Sequence, residues 1–502
     1  MEAVSRRPFS PALLLELLIV ALWLGTLAYA WQRTQNAPGA SLSAGTELLS
    51  AVTEGPGAEW VGIYLQGQKI GAGISDVVRS KEGYRIQERT TLRLRAFEQD
   101  RELTTIFTAS TDPQQVLKRF HFMLHSPPSA IDVKGEVRGT QLQLEIRSGG
   151  EVQKQELTLK SPPEIALTFK ERVAALKPKV GQVLDLPYFD PASLSQQTLQ
   201  VTVTQQGEAL VDGVMTPTLT LETSYAGVKT SSIITADGRT LEETNALGMQ
   251  LKRESRAQAM EQGWQKQTAV DVIALSAVPI SEPIPNARAT RRLYGRLKGG
   301  GVEVLLPRRD DGQKPGAFEV SIPDRETWKS YPIPMSDVRF APYLADSTAL
   351  QVRHPRVVAT AQSILGDVTD AHDAVARLNA WIHERLRKEP VMGVPGSLEI
   401  LNTNKGDCNE HTTLFTALAR AVGIPTRMAA GVVYSEQVTG SPAFYYHAWP
   451  EVYLGEWVPV DPTFGQFPAD ATHIKLVEGE LQDQLSLMRV VGNLSIEIDE
   501  VH

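Results

Sequence analysis

The sequence predicts a multidomain α+β chain with three structured parts. These are an N-terminal transmembrane helix, a β-rich antiparallel domain built as a curved sheet or half-barrel, and a C-terminal α+β domain. Three observations predict this class. The run from Pro11 to Trp31 is apolar except for Glu16. Period-2 alternation dominates from about Glu59 to Ile273, the pattern of strands with one apolar and one wet face. Helical periodicity takes over after about Ser347. A chain of 502 residues is too long for one core. The boundaries read as 1–31 for an anchor or signal segment, 32–45 for a linker, 46–275 for the β-rich domain, 276–345 for a Pro/Gly-rich connection and 346–502 for the last domain.

The first element is addressed to a membrane. Arg6 and Arg7 precede the apolar run, and only Arg33 follows closely, the asymmetry of a positive-inside orientation. At about 1.5 Å per residue the run matches a hydrocarbon core of roughly 30 Å. A single-pass anchor fits that length. A cleaved signal peptide fits Ala28-Tyr29-Ala30, a small-x-small site just after the run, and a buried soluble helix is the third reading. The first two place the bulk of the chain in the periplasm or outside the cell, with the cytoplasmic (inner) membrane as its base.

The composition narrows the chemistry. Charged residues at 22% and aromatics at 7% argue against wholesale disorder. With 50 Lys+Arg against 58 Asp+Glu, the net charge of −8 gives no reason to expect a nucleic-acid partner. One Cys excludes an intramolecular disulfide framework and any Cys-cluster metal site, so thiol chemistry would run through Cys408. The sequence holds no EF-hand loop, HExxH or phosphate-binding Gly loop, so no metal or nucleotide cofactor is expected.

Gln35 to Gly45 is small and polar, as linkers are. In the β-rich stretch, Trp60–Tyr64 and Lys69–Ile74 flank a Gln66-Gly67 turn, a hairpin signal. Leu142, Leu144 and Ile146, then Leu199, Val201 and Val203, alternate with polar residues, and Asp237-Gly238 marks a further turn. The connection is expected to carry a short strand pair, Val302–Leu306 with Ala317–Ile322, and a basic run of Arg288, Arg291, Arg292 and Arg296 that reads as a solvated face.

The C-terminal part holds the candidate chemistry. Val357, Ala361, Ile364 and Leu365 form one helical stripe, and Ala374, Leu378, Trp381, Ile382 and Leu386 another. From Asp407 a third helix is expected. Asp407 is its N-cap, Glu410 stands at N3 as in a capping box, and Gly423 then Pro425 stop it. Cys408 then occupies the first helical position, where the macrodipole and unpaired N–H groups favour thiolate. A buried structural Cys is the equal alternative from this segment alone.

Tyr445 to Leu454 reads as a strand, and Trp457 to Thr463 returns beside it. A two-residue turn would put His447 and Asp461 on opposite faces. A three-residue turn over Leu454–Glu456, or a bulge near Pro450, puts them on one face, where the carboxylate could fix one imidazole tautomer. His411, one turn after Cys408, is a second candidate base. Trp449 and Trp457 read as core, and one of Tyr445 and Tyr446 is expected to point outward.

These segments resemble a known group. Gly406-Asp407-Cys408 opening a helix that ends Gly423-Ile424-Pro425-Thr426-Arg427, then His447-Ala448-Trp449-Pro450-Glu451-Val452, then Trp457-Val458-Pro459-Val460-Asp461-Pro462-Thr463, are similar to the bacterial transglutaminase-like core. The resemblance covers roughly Asp346 to Leu476 and implies a papain-like α+β arrangement. It implies Cys408 as nucleophile, His447 as general base and acid, and Asp461 as the residue that orients it. The expected function is a membrane-anchored extracytoplasmic thiol enzyme. Its thiol would attack a peptide or glutamine amide through a thioester, resolved by water or by an amine. Peptide or protein substrates, cell-wall peptides among them, are the expected partners. The alternative is a non-catalytic binding or assembly module of a cell-envelope system.

Overall fold

The computed structural model describes residues 58–502 apart from 97–98, 127–128, 149–150, 166–168, 192–193, 226–227, 246–247, 262, 306–315 and 390–394. The described chain divides into two compact units that meet between Asp271 and Val272.

In the first unit, alternating sequence becomes alternating burial. Leu142 and Leu144 are buried, and Leu199, Val201 and Val203 line a core with Leu221 and Ile234. Such strands must pair laterally, and they do so with their sequence neighbours. Eight consecutive strands from Glu59–Leu65 to Glu151–Thr158 form one meander, and six from Val183–Asp190 to Met249–Glu254 form a second. The two join where Glu59–Leu65 pairs antiparallel with Met249–Glu254. One sheet of fifteen strands results, antiparallel throughout except that Val270–Asp271 runs parallel to Leu94–Arg95. Its edges are Glu151–Thr158 and Val183–Asp190. The Gln66-Gly67 turn forms where the sequence placed it, both residues at positive φ. A short helix, Phe169–Ala175, packs Phe169 and Val173 into the core. Its Lys170 is buried with Glu243, Nζ to Oε2 2.5 Å, while Ser232 Oγ donates to the same carboxylate oxygen at 2.6 Å.

The expected fold class is corrected at this point. The described chain is β-rich rather than α+β, because half-buried alternation persists almost unbroken from Glu59 to Glu254 and leaves room for few helices. The transmembrane helix is also set aside. Among the described residues no helix is long and apolar enough to cross a membrane. The Pro11–Trp31 run on which it was placed lies outside the described residues.

In the second unit, Arg292–Lys298 is the centre of a three-stranded sheet between Ala317–Ser321 and Ser495–Val501. The expected Val302–Leu306 strand is instead a helical turn over Val302–Leu305, so Ala317–Ser321 takes Arg292–Lys298 as its partner. Helices Pro355–Leu365, Ala371–Arg385, Ser397–Thr403 and Cys408–Ala421 follow, with N-caps from His354 and Asp370 on the first two. The last of them packs against the other three and against strands Thr426–Ser435 and Ala443–Tyr453. Its Leu414, Phe415 and Leu418 meet Leu378, Ile382, Val452 and Val458 in one core. The strands belong to a second sheet in the order Val278–Pro279, Ala443–Tyr453, Thr426–Ser435, Ile474–Glu478, with Trp457–Pro459 also paired to Ala443–Tyr453.

Candidate functional site

The helix that begins at Cys408 is fixed by its own sequence. Asp407 caps it, and Glu410 closes the capping box, accepting from the Asp407 N–H at 2.8 Å. Gly406 is needed beside this box, since a Cβ there would lie 2.1 Å from Glu410 Cβ. Gly423 ends the helix at φ +81°, where a Cβ would also strike Pro334. The thiol is therefore presented at the first turn of a buried helix.

Where that turn lands is decided by a gap in the sheet. Strand Ala443–Tyr453 pairs with Val278–Pro279 at one end of an edge and with Trp457–Pro459 at the other. Between them the backbone of Ala448 has no strand partner on that edge among the described residues. The helix supplies two substitutes one turn apart. The Ala448 N–H donates to Cys408 Sγ at 3.2 Å, and Thr412 Oγ1 donates to the Ala448 carbonyl at 3.0 Å. This seats the sulfur one peptide from His447.

The return strand pairs Tyr453 with Trp457, so the connection is the three-residue turn over Leu454–Glu456. His447 and Asp461 accordingly meet, with His447 Nε2 2.8 Å from Asp461 Oδ2. That leaves Nδ1 as the nitrogen available to a thiol. The other oxygen of Asp461 accepts from the N–H groups of Thr463 at 2.7 Å and Phe464 at 3.0 Å. The His447 ring stacks on Phe464 with centroids 5.0 Å apart and planes at 11°. Cys408, His447 and Asp461 are all buried.

Electrostatics depart from one expectation. Burial, then the charge of Asp407, pushes the Cys408 thiol well above an ordinary cysteine, and only the Ala448 N–H works in the other direction. The helix start therefore does not leave a resting thiolate; desolvation outweighs it. Burial lowers His447 despite its carboxylate partner, so the imidazole is neutral. Burial alone would raise Asp461, but His447 and His473 more than reverse this and hold it well below the usual carboxylate range. Burial and the neighbouring Glu410 raise Asp407.

The remaining candidates sort by contact. His411 Nδ1 donates to the Asp407 carbonyl at 2.6 Å, and burial lowers its pKa to about 4, so it stands as a neutral cap-side imidazole. Trp449 is buried beside the rings of both His447 and His473. Trp457 packs on Tyr343 and Tyr453 under the Arg427 guanidinium. Both Tyr445 and Tyr446 are buried, because both faces of their strand are covered; neither points outward.

Two residues escaped the sequence. His473 Nε2 lies 3.0 Å from the same Asp461 Oδ2 that His447 holds. No local spacing announces it, for it precedes strand Ile474–Glu478 and reaches the site through the register of that strand with Thr426–Ser435. Arg288 is not part of a merely solvated run: it pairs with Asp470 at 2.8 Å and lies over the Phe464 ring at 4.7 Å. The ring nitrogens of His447 and His473 and the carboxylate of Asp461 lie within 4.8 Å of one another because they are hydrogen-bonded, so these atoms are engaged with each other rather than held open for an ion.

The transglutaminase-like superfamily model matches residues 358–462. A protein-glutamine gamma-glutamyltransferase of Pseudomonas aeruginosa is 30% identical over 161 residues, which cover 30% of this chain and 22% of that protein. The match thus spans under a quarter of that relative's length. Among solved structures, a candidate cysteine protease from Cytophaga hutchinsonii aligns over 37% of this chain and 62% of its own, at 19% identity and TM-score 0.28. A β-barrel-like protein of unknown function from Brucella abortus aligns over 39% of this chain and 95% of its own, at 14% identity and TM-score 0.33. The chain carries, at residues 358–462, a domain of the transglutaminase-like superfamily.

Proposed function

We propose that this chain is a cysteine-dependent enzyme acting on amides, with Cys408 as nucleophile, His447 as general base and acid, and Asp461 as the residue that orients the imidazole. The observation that carries this reading is the seating of Cys408 Sγ against the Ala448 N–H, one peptide from a His447 whose Nε2 is already held by Asp461. With Nε2–H donating to the carboxylate, Nδ1 carries the lone pair. It takes the thiol proton as sulfur attacks the amide carbonyl. The Cys408 N–H, one of the donors that a helix start leaves without an intrahelical partner, stabilises the oxyanion. A C–S bond forms, the C–N bond breaks, and ammonia or an amine leaves with the proton from His447. Water or an amine then attacks the thioester, giving hydrolysis or amide transfer. Glutamine side chains or peptide bonds of proteins and cell-wall peptides are the proposed substrates. An extracytoplasmic address belongs to the same proposal, supported by the Arg6-Arg7 and Pro11–Trp31 sequence pattern.

Mass spectrometry of envelope extract incubated with wild type and with Cys408→Ala tests this reading. Deamidated glutamines, new amide crosslinks or cut peptides are expected with wild type alone. Identical samples would sink it. They would favour the second reading, a binding or assembly module, which the complete burial of Cys408 supports.

A further inference from the structure

We propose that His473 is a positioning residue of this site: a buried imidazolium that shares Asp461 Oδ2 with His447 and thereby keeps the resting couple as neutral thiol and neutral imidazole. The inference rests on the reading of Cys408, His447 and Asp461 given above.

His473 Nδ1 lies 2.9 Å from the backbone carbonyl of Asp470, and its Nε2 lies 3.0 Å from Asp461 Oδ2. A carbonyl can only accept, so Nδ1 carries a hydrogen. A neutral ring would then turn the Nε2 lone pair toward a carboxylate, which is repulsive. Both nitrogens face acceptors, and only the doubly protonated ring satisfies both. The surroundings balance that charge. Asp470 Oδ1 is 3.5 Å from His473 Nδ1, and Asp470 also holds Arg288. The ionisable groups facing His473 are Asp461 from the segment after the return strand, Asp470, His447 from strand Ala443–Tyr453, which lies beyond the intervening strand Thr426–Ser435, and, through Asp470, Arg288. Burial by itself lowers His473, but Asp470 and Asp461 outweigh it and raise it to about 9.

The consequence falls on His447. A carboxylate in contact with one neutral imidazole would strongly stabilise the imidazolium. Here Asp461 already neutralises a cation, so it orients His447 without making it strongly basic. The Thr463 and Phe464 N–H groups fill its other oxygen. The carboxylate is therefore held on every side and cannot swing away from His447.

Two measurements test this. The first is imidazole nitrogen NMR of the wild-type full-length chain, with the His473 ring assigned by through-bond correlation to its own backbone. His473 is expected to show both nitrogens protonated from pH 5 to 8. A single-tautomer neutral ring at pH 7.5, or a midpoint near about 6.5, overturns the proposal. The second is the pH profile of Cys408 alkylation by iodoacetamide in wild type, His473→Gln and His447→Ala. The ring centroids of His447 and His473 are 5.6 Å apart. Removing a cation at that range should raise the His447 midpoint by about one to two pH units and make it the better acceptor of the thiol proton. Between the imidazole and thiol midpoints this is a gain in His473→Gln alkylation rate of roughly tenfold or more. An unchanged rate in that range in a folded His473→Gln overturns the proposal. If His447→Ala also leaves the profile unchanged, the base assignment has failed instead, and the NMR result on His473 still decides its charge.

Discussion

At the scale of single residues, the charges of several buried histidine and carboxylate side chains in the second unit are set by folding. His473 is raised to about 9, with Asp470 and Asp461 outweighing burial, while Asp461 and Asp470 are held low. A histidine raised above its unfolded value near about 6.5 stabilises the fold fully below that pH, and the stability is lost as pH rises through the folded value. Denaturant titration is therefore expected to give a decline of up to roughly 3 kcal/mol between about pH 6.5 and 9. His473→Gln should be less stable at pH 6 and should lack that decline; a variant with the same slope as wild type would remove His473 as its source. His411 has the opposite sign. Burial lowers it to about 4, so its contribution is present above the unfolded pKa and fades as pH falls from 6.5 toward 4. None of this was legible from residue type. His411 was a candidate by its spacing to Cys408 and His447 by the hairpin that could bring it to Asp461, whereas His473 has no motif around it and gains its meaning from Asp461 and Asp470.

At the scale of elements, the contact between the Cys408 helix and the open edge of strand Ala443–Tyr453 is what turns a helix start into a site. Thr412 is the second fastening, its hydroxyl replacing a strand partner at the Ala448 carbonyl. Thr412→Val keeps the shape and leaves a buried carbonyl short of a donor. A loss of about 1–3 kcal/mol is expected in denaturant unfolding. A slower or more scattered Cys408 alkylation is expected as well, because the first helical turn is then held only through the thiol. Stability equal to wild type would show that another donor reaches that carbonyl. The elements themselves were legible. The capping box, the Gly423 stop and the strand alternation of the first unit are local signals, and each formed at the predicted residues. The strand predicted at Val302–Leu306 failed because the apolar residues after Gly299–Gly301 serve a helical turn, and only the tertiary sheet assigns Arg292–Lys298 its two partners.

At the scale of the whole molecule, every side chain named at the site comes from residues between Arg288 and His473, within the unit that begins at Val272. The first unit has its own buried ion pair, Lys170 with Glu243, on a helix pressed against the sheet. Lys170→Ala strands a buried carboxylate and should cost about 3–5 kcal/mol, whereas Lys170→Met paired with Glu243→Leu should be near neutral. Calorimetry checks both, and equal damage from the two would mean the pair is not the cause. In neither variant should Cys408 alkylation under native conditions change.

The sequence by itself determined what depends on near neighbours: strands from alternation, the helix from its caps and stripe, and Cys408 at the helix start. It also bound the three segments that resemble a transglutaminase-like core into one arrangement. It left open the turn that decides whether His447 and Asp461 share a face. Tertiary structure decided what depends on long-range register and burial: the three-residue turn, the second imidazole on Asp461, the pairing of Arg288 and the protonated state of the thiol. The physical reason is that pairing geometry and desolvation are properties of surroundings. A residue's charge inside a core is set by partners that the chain brings from far along its length.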